Sequence, residues 1–212
     1  MWKNRIRPGN PEKLGVTRAG RELNFAVAVQ DGKDCSLLLY RKGMEEPEQE
    51  FVFTDDMRFG EICAMGLEGL PVQGYEYNYR MDGKIVPDPY AVEIRGREIW
   101  GKAVEEEGKL RCRIRSDPFP WAGDRPLALP VEQCVLYKTH VRGFTMDPSS
   151  GVRHPGTFAG VREKIHYLKK LGITQLLLMP VYEFAEISET YAAKKHMPIR
   201  KGMEGRINYW GY

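Results

Sequence analysis

Hydrophobic and polar positions alternate with a period of two over roughly the first 130 residues of the chain. Leu23, Phe25, Val27 and Val29 alternate with Asn24, Ala26, Ala28 and Gln30, which predicts a strand with one face on a core and the other toward solvent. Ser36–Tyr40 is a short apolar run of strand length, and Glu50–Thr54 and Glu61–Met65 read as further strands. Tyr75, Tyr77 and Tyr79 alternate with Glu76, Asn78 and Arg80, and Asp82-Gly83 follows almost at once. An Asp-Gly pair accepts the two positive φ angles of a type I′ turn, so a tight hairpin is expected there. No stretch of this half carries a convincing helical repeat. Short strands divided by turn residues predict an immunoglobulin-like β-sandwich.

The pattern changes near Leu127-Ala128-Leu129-Pro130. Residues 134–141, Cys-Val-Leu-Tyr-Lys-Thr-His-Val, predict one strand, followed by a loop rich in Gly, Pro and Ser. A helix is expected to begin near Thr157, whose hydroxyl can cap the free N–H groups of the first turn. Val161, Ile165, Leu168 and Leu171 fall on one face of that helix, Lys169 and Lys170 sit in its last turn, and Gly172 ends it. The near-continuous apolar run from Ile173 to Val181 then fits a parallel strand covered on both faces. Strand, helix and strand make one βαβ unit, which needs further strands beside it. The expected division is therefore a sandwich over residues 1–126 and the opening of an α/β domain over 127–212.

Composition narrows the function classes. The 212 residues include 32 Lys and Arg against 29 Asp and Glu, a net charge of +3 spread along the chain. The same-sign clusters, such as Glu105-Glu106-Glu107 and Lys194-Lys195, are short. That distribution argues against a nucleic-acid or membrane-surface partner, which would need a concentrated basic patch. The first residues are basic but lack the apolar core of a secretory signal, and nothing approaches the roughly 18 apolar residues of a membrane span. Cys35, Cys63, Cys112 and Cys134 sit singly, with no Cys-x-x-Cys pair, which favours reduced thiols in a cytoplasmic protein.

Five segments in order carry a resemblance to a known family. Val135-Leu136-Tyr137-Lys138-Thr139-His140-Val141-Arg142-Gly143-Phe144-Thr145 resembles the first barrel strand of the α-amylase superfamily, glycoside hydrolase family 13. Gly156–Val161 with Tyr167–Thr174 is similar to that family's first helix, and Leu178-Met179-Pro180-Val181 to its second strand. Asn208-Tyr209-Trp210-Gly211-Tyr212 resembles the segment that isoamylases, pullulanases and bacterial glycogen debranching enzymes carry just beyond that strand. Tyr75–Arg80, Asp82-Gly83 and Pro87-Asp88-Pro89-Tyr90-Ala91 are similar to the end of the carbohydrate-binding module family 48 domain that precedes the barrel. The resemblance implies a sandwich followed by the first βαβ unit of an incomplete (β/α)8 TIM barrel, in an enzyme that hydrolyses α-1,6 branch points of glycogen or starch.

Retaining glycosidases need two carboxylates about 5 Å apart. In the family these lie on barrel strands beyond the second, so the 212 residues are expected to lack them and to be inactive alone. The resemblance makes Tyr212 the aromatic residue that stacks on the sugar in the −1 subsite, while Trp210 either lines the same cleft or packs under the loop. Glu183, Glu186 and Glu189 follow the second strand but match no catalytic position, and read as a solvated acidic loop. His140 has an orienting or packed role in this reading. His154, His166 and His196 show no metal-ligand spacing, and neither metal nor cofactor is expected. Trp100 and Trp121, with Tyr40 and Tyr90 behind them, are the sandwich residues that could touch α-glucan. A two-stranded parallel piece exposes edges and an apolar face, so residues 134–212 are expected either to self-associate or to be loosely packed. The alternatives are a stand-alone glycogen- or starch-binding module and part of an α-1,4-glucan branching enzyme.

Overall fold

The computed structural model describes residues 5–30, 33–99, 107–115, 119–184 and 208–211. The described residues up to 119 form one compact unit and those from 120 onward a second.

The first unit contains β1 (Ile6–Pro8), β2 (Gly15–Ala19), β3 (Glu22–Ala28), β4 (Cys35–Arg41), β5 (Gln49–Val52), β6 (Arg58–Phe59), β7 (Ile62–Glu68), β8 (Tyr75–Met81), β9 (Lys84–Val86), β10 (Ile94–Arg95) and β11 (Arg111–Arg113). One antiparallel sheet has the order β1-β7-β3-β2 with β6 on β7, and the other β10-β11-β8-β4-β5 with β9 on β8. Leu23, Phe25 and Val27 from the first sheet and Leu37, Leu39, Tyr77 and Tyr79 from the second meet in one buried cluster, as a β-sandwich requires. The Phe25 and Tyr77 rings cross the interface edge to face, with centroids 5.4 Å apart. Asp82 (φ 51°) and Gly83 (φ 78°) both take positive φ at the β8–β9 hairpin, the backbone the Asp-Gly pair predicts.

The outer faces differ from the expectation of solvated polar residues. Asn24 is buried because residues 9–13 run across it: its Oδ1 accepts from the Asn10 N–H at 2.6 Å and its Nδ2 donates to the Asn10 carbonyl at 3.1 Å. A side chain at position 9 would strike Asn24 and the Met65 backbone, so Gly9 is what allows this close approach. Asn78 is covered in the same way: its Nδ2 donates to the Leu110 carbonyl at 2.7 Å, and Cys112 lies opposite Tyr77 on the neighbouring strand. The short strands β1, β2, β6, β10 and β11 were not expected from the sequence. They are two to five residues long and carry too few apolar positions to show a period.

The second unit contains β12 (Leu136–Thr139), α1 (Val141–Thr145), α2 (Phe158–Glu163), α3 (Ile165–Lys170) and β13 (Gln175–Leu178). The two strands pair in parallel, with Leu136 opposite Gln175 and Thr139 opposite Leu178. The ladder is extended at both ends: the Val135 N–H donates to Thr174 Oγ1 at 2.8 Å, and the Met179 N–H to the Thr139 carbonyl at 2.9 Å. Thr157 caps α2 as expected, its Oγ1 accepting from the Gly160 N–H at 3.2 Å, and Gly172 takes φ 78° after α3.

Three expectations for this unit are corrected. The first strand stops at Thr139, because His140 turns the chain and caps α1. The long helix is interrupted at Lys164 (φ −89°, ψ 0°), which divides it into α2 and α3. Val161 and Leu168 are buried, while Ile165 and Leu171 are exposed. The second strand is not covered on both faces, since Leu177 remains 45% exposed.

Two tyrosines in the sandwich core make opposite predictions. The Tyr77 hydroxyl donates to Asp88 Oδ2 at 2.7 Å in a buried pair, and the Tyr90 N–H donates to Asp88 Oδ1 at 2.8 Å. The Tyr79 hydroxyl is buried with no hydrogen-bond partner. A hydrogen bond to a charged group contributes about 1.5–3 kcal/mol, whereas an unpaired buried hydroxyl costs about 1–3 kcal/mol in lost hydration. Tyr77→Phe is therefore expected to lower the unfolding free energy by about 2 kcal/mol and Tyr79→Phe to leave it unchanged or raise it, as measured by urea denaturation.

Burial pushes the Asp88 carboxyl above its ordinary value despite those two hydrogen bonds. The folded state thus holds this proton more tightly than the unfolded chain does. The stability it contributes is greatest at low pH and declines as pH rises from about 3.9 toward the raised folded value. In Asp88→Asn that decline should vanish, so the stability difference between the parent chain and the variant narrows with rising pH. A constant difference across denaturation curves at several pH values would contradict it.

Candidate functional site

Parallel pairing puts the C-terminal ends of β12 and β13 on one side, and the residues that follow each strand meet there. After β12 comes His140, whose carbonyl accepts from the Phe144 N–H at 3.0 Å and whose Nδ1 accepts from the Gly143 N–H at 3.0 Å. An accepting Nδ1 places the ring proton on Nε2. Thr145, at the end of α1, is fully buried and ties down the loop beyond it. Its Oγ1 accepts from the Gly156 N–H at 2.8 Å and its carbonyl from the Ser150 hydroxyl at 2.8 Å. Asp147 accepts from the Ser149 N–H at 2.9 Å, and Ser149 holds its carboxyl below the usual carboxylate range.

Asn208–Gly211 lies against both strand ends. The Tyr209 ring stacks on the His140 imidazole with centroids 4.1 Å apart and planes 24° from parallel. The Gly211 N–H donates to Asn208 Oδ1 at 3.1 Å. Gly211 takes φ 79° and sits so close to Phe184 and Pro180 that a side chain would strike the Phe184 ring. One end of the segment is thus held by the residues after β12 and the other by those after β13. Trp210 between them is 57% exposed. An exposed aromatic surface on a fixed turn is what a pyranose face of C–H groups requires.

The sequence-predicted site residues fall as follows. Trp210 joins the cluster, and Tyr212 lies outside the described residues. Glu183 is exposed near Phe184, while Glu186, Glu189 and His196 lie outside the described residues. His154 and His166 are exposed and do not join the cluster. Trp100 lies outside the described residues, and Trp121 and Tyr90 are exposed. Tyr40 is corrected: it is fully buried, with the Arg111 guanidinium 3.9 Å over its ring, and cannot touch a polysaccharide. Cys35, Cys63 and Cys112 are buried free thiols, Cys112 pushed up to about 12 by burial. Among the described residues, no group of three or more His, Cys, Asp or Glu gathers at metal-binding distance. Among the described residues, no helix is long and apolar enough to cross a membrane. The residues that local patterning missed are Tyr209, Gly143 and Phe184, whose roles come from contacts across the fold.

No family model matches the chain. Isoamylase 1, chloroplastic, of Arabidopsis thaliana is 38% identical over 98% of this chain and 28% of its own length. A glycogen debranching enzyme of Yersinia pseudotuberculosis is 28% identical over 96% of this chain and 32% of its own length. The chain is a homologue of isoamylases and glycogen debranching enzymes. Among solved structures, pullulanase from Bacillus acidopullulyticus superposes with a TM-score of 0.64 at 26% identity, over 85% of this chain and 23% of its own. A pullulanase mutant from Paenibacillus barengoltzii, complexed with maltotriose, superposes with a TM-score of 0.65 at 22% identity. It covers 88% of this chain and 30% of its own, and supports the fold alone.

This isoamylase homologue spans about a third or less of the length of those curated relatives. The cytoplasmic placement expected from the sequence is corrected by the plant relatives. The isoamylases of Arabidopsis thaliana, Oryza sativa and Zea mays are named as chloroplastic. Plastid transit peptides are amphipathic and lack a secretory apolar core, so the lack of such a core does not distinguish the two compartments.

Gly143 gives the test of this geometry. A Cβ there would fall inside the contact distance of the Tyr209 hydroxyl. Glycine to alanine within a helix ordinarily gains about 0.5–1 kcal/mol. Gly143→Ala is expected instead to destabilise the second unit, and adding Tyr209→Phe, which removes the hydroxyl, should restore the loss. Thermal unfolding of the two variants checks this; a simple gain from Gly143→Ala alone would exclude the close approach.

Proposed function

We propose that the chain is the N-terminal part of an α-glucan debranching hydrolase acting on α-1,6 branch points of glycogen or starch. Its sandwich corresponds to a carbohydrate-binding module 48-like domain over residues 1–126. Residues 127–212 open a (β/α)8 catalytic barrel. The observation that carries the reading is the placement of Asn208–Gly211 across the C-terminal ends of two parallel strands, the end of such barrels where active sites are built. Isoamylase and glycogen-debranching homology over nearly the whole chain supports the same reading. Trp210 and Tyr212 then supply aromatic walls to the sugar, and the catalytic carboxylates belong to strands beyond Leu178. The 212 residues alone are accordingly inactive.

The experiment expresses the chain alone and in frame with the coding sequence beyond Tyr212, then measures reducing ends released from pullulan. The longer protein should release them and leave linear amylose intact, while the 212 residues alone release none. Loss of iodine colour from amylose without new reducing ends would instead identify a branching transferase. In the longer protein, Trp210→Ala is expected to raise KM for a branched dextrin by about tenfold, since a stacked ring contributes about 1–1.5 kcal/mol. An unchanged KM would remove Trp210 from the site.

The reading extends to association of the isolated chain. Leu136, Ile165, Leu171 and Leu177 are apolar and exposed in the second unit, a surface that favours pairing. Light scattering should show a mass that rises with concentration, and a monomer at every concentration would contradict it.

A further inference from the structure

We propose that His140 is a positioning residue: its ring, stacked on Tyr209, holds the Asn208–Gly211 turn in the place from which Trp210 presents its face to the sugar. This rests on the proposed function for the identity of the sugar, but the positioning itself is a property of the fold. Four contacts locate the turn. His140 stacks on Tyr209 with centroids 4.1 Å apart. The hydroxyl end of that ring lies over Gly143, where only glycine leaves room. Gly211 packs on Phe184 and Pro180, and its N–H closes on Asn208 Oδ1 at 3.1 Å. Of these partners, His140 and Gly143 follow β12, and Phe184 and Pro180 follow β13. The turn therefore draws on both strand ends together, and loss of the His140 ring removes the surface on which Tyr209 stacks.

Two of the contacts His140 makes can be separated by chemistry. Nδ1 accepts the Gly143 N–H and caps α1, a task that asparagine performs equally well. The flat ring stacks on Tyr209, a task that phenylalanine performs and asparagine cannot. A residue that only caps the helix would be replaced without loss by asparagine. A positioning residue that works through the ring would be replaced by phenylalanine.

Amide hydrogen exchange on the 212-residue chain reads the two contacts independently. In His140→Asn, exchange at Gly211 should quicken about fivefold or more while Gly143 stays protected. In His140→Phe the order reverses: Gly143 exchanges faster and Gly211 keeps its protection. In the debranching enzyme of the proposed function, His140→Asn should raise KM for a branched dextrin about tenfold with kcat within about twofold, and His140→Phe should keep KM near the parent value. The proposal is overturned if Gly211 exchange is the same in both variants, or if KM follows the cap and not the ring. If Gly211 responds as expected but the intact enzyme leaves α-1,6 linkages uncut, the positioning stands and the debranching reading fails.

Discussion

Parallel pairing of Leu136–Thr139 with Gln175–Leu178 is the constraint from which the second unit takes its form. Parallel neighbours cannot be joined by a tight turn, so the chain between them must cross over, and α1, α2 and α3 occupy that crossover. The same pairing points both strand ends in one direction. Whatever follows Thr139 and Leu178 is brought to a common edge, and there His140, Gly143, Pro180 and Phe184 find one partner in Asn208–Gly211. Without the parallel register, Leu178 would not lie opposite Thr139, and the two halves of the clamp would be separated by the length of a strand. The backbone bonds at Val135–Thr174 and Met179–Thr139 lengthen this short ladder at both ends, which matters because it has only four paired positions.

The sandwich solves a different problem, that of burying polar side chains on and beside its central strands. Asn24, Asn78 and Asp88 are each almost wholly enclosed, yet each is satisfied by backbone or by a tyrosine hydroxyl. Buried polar groups with partners cost little and fix the path of the segments that cover them, whereas unpaired ones are expensive. Residues 9–13 and 107–112 are held by Asn24 and Asn78 in this way. The Pro87–Ala91 segment is likewise anchored by Asp88 between Tyr77, Tyr90 and Cys112.

Much of this was legible because its causes are local. The alternation of Leu23, Phe25 and Val27, the Asp82-Gly83 turn, the Thr157 cap and the Gly172 terminator depend on neighbouring residues, and each stands where the sequence puts it. What the sequence hid was tertiary. The strand read to Val141 ends at Thr139 because His140 exchanges a ladder position for the Gly143 N–H. The break at Lys164 leaves no trace in the apolar spacing of the helix, and Ile165 and Leu171 are exposed although they share that spacing. At the site, Trp210 was visible only through resemblance to a family segment. The stack of His140 on Tyr209 joins residues far apart in the chain, and no period or motif announces such a contact.

The clamp also explains how an exposed aromatic, which faces the sugar under the proposed function, can be held in place. A ring pair contributes about 0.5–1.5 kcal/mol and a backbone-to-side-chain hydrogen bond about 0.5–1.5 kcal/mol. The Tyr209 stack and the Asn208–Gly211 bond together hold the turn by about 2 kcal/mol, a population ratio of roughly thirty to one. Neither contact uses the Trp210 ring, which is 57% exposed. Ordering the turn beforehand removes a cost of about 0.5–1.5 kcal/mol per immobilised side chain from binding. A sugar surface is polar at its edges and offers little apolar area, so its affinity depends more on such ordering than a hydrophobic ligand's would. Under the proposed function, the ring-stacked His140 is thus placed where a small structural energy is converted into recognition.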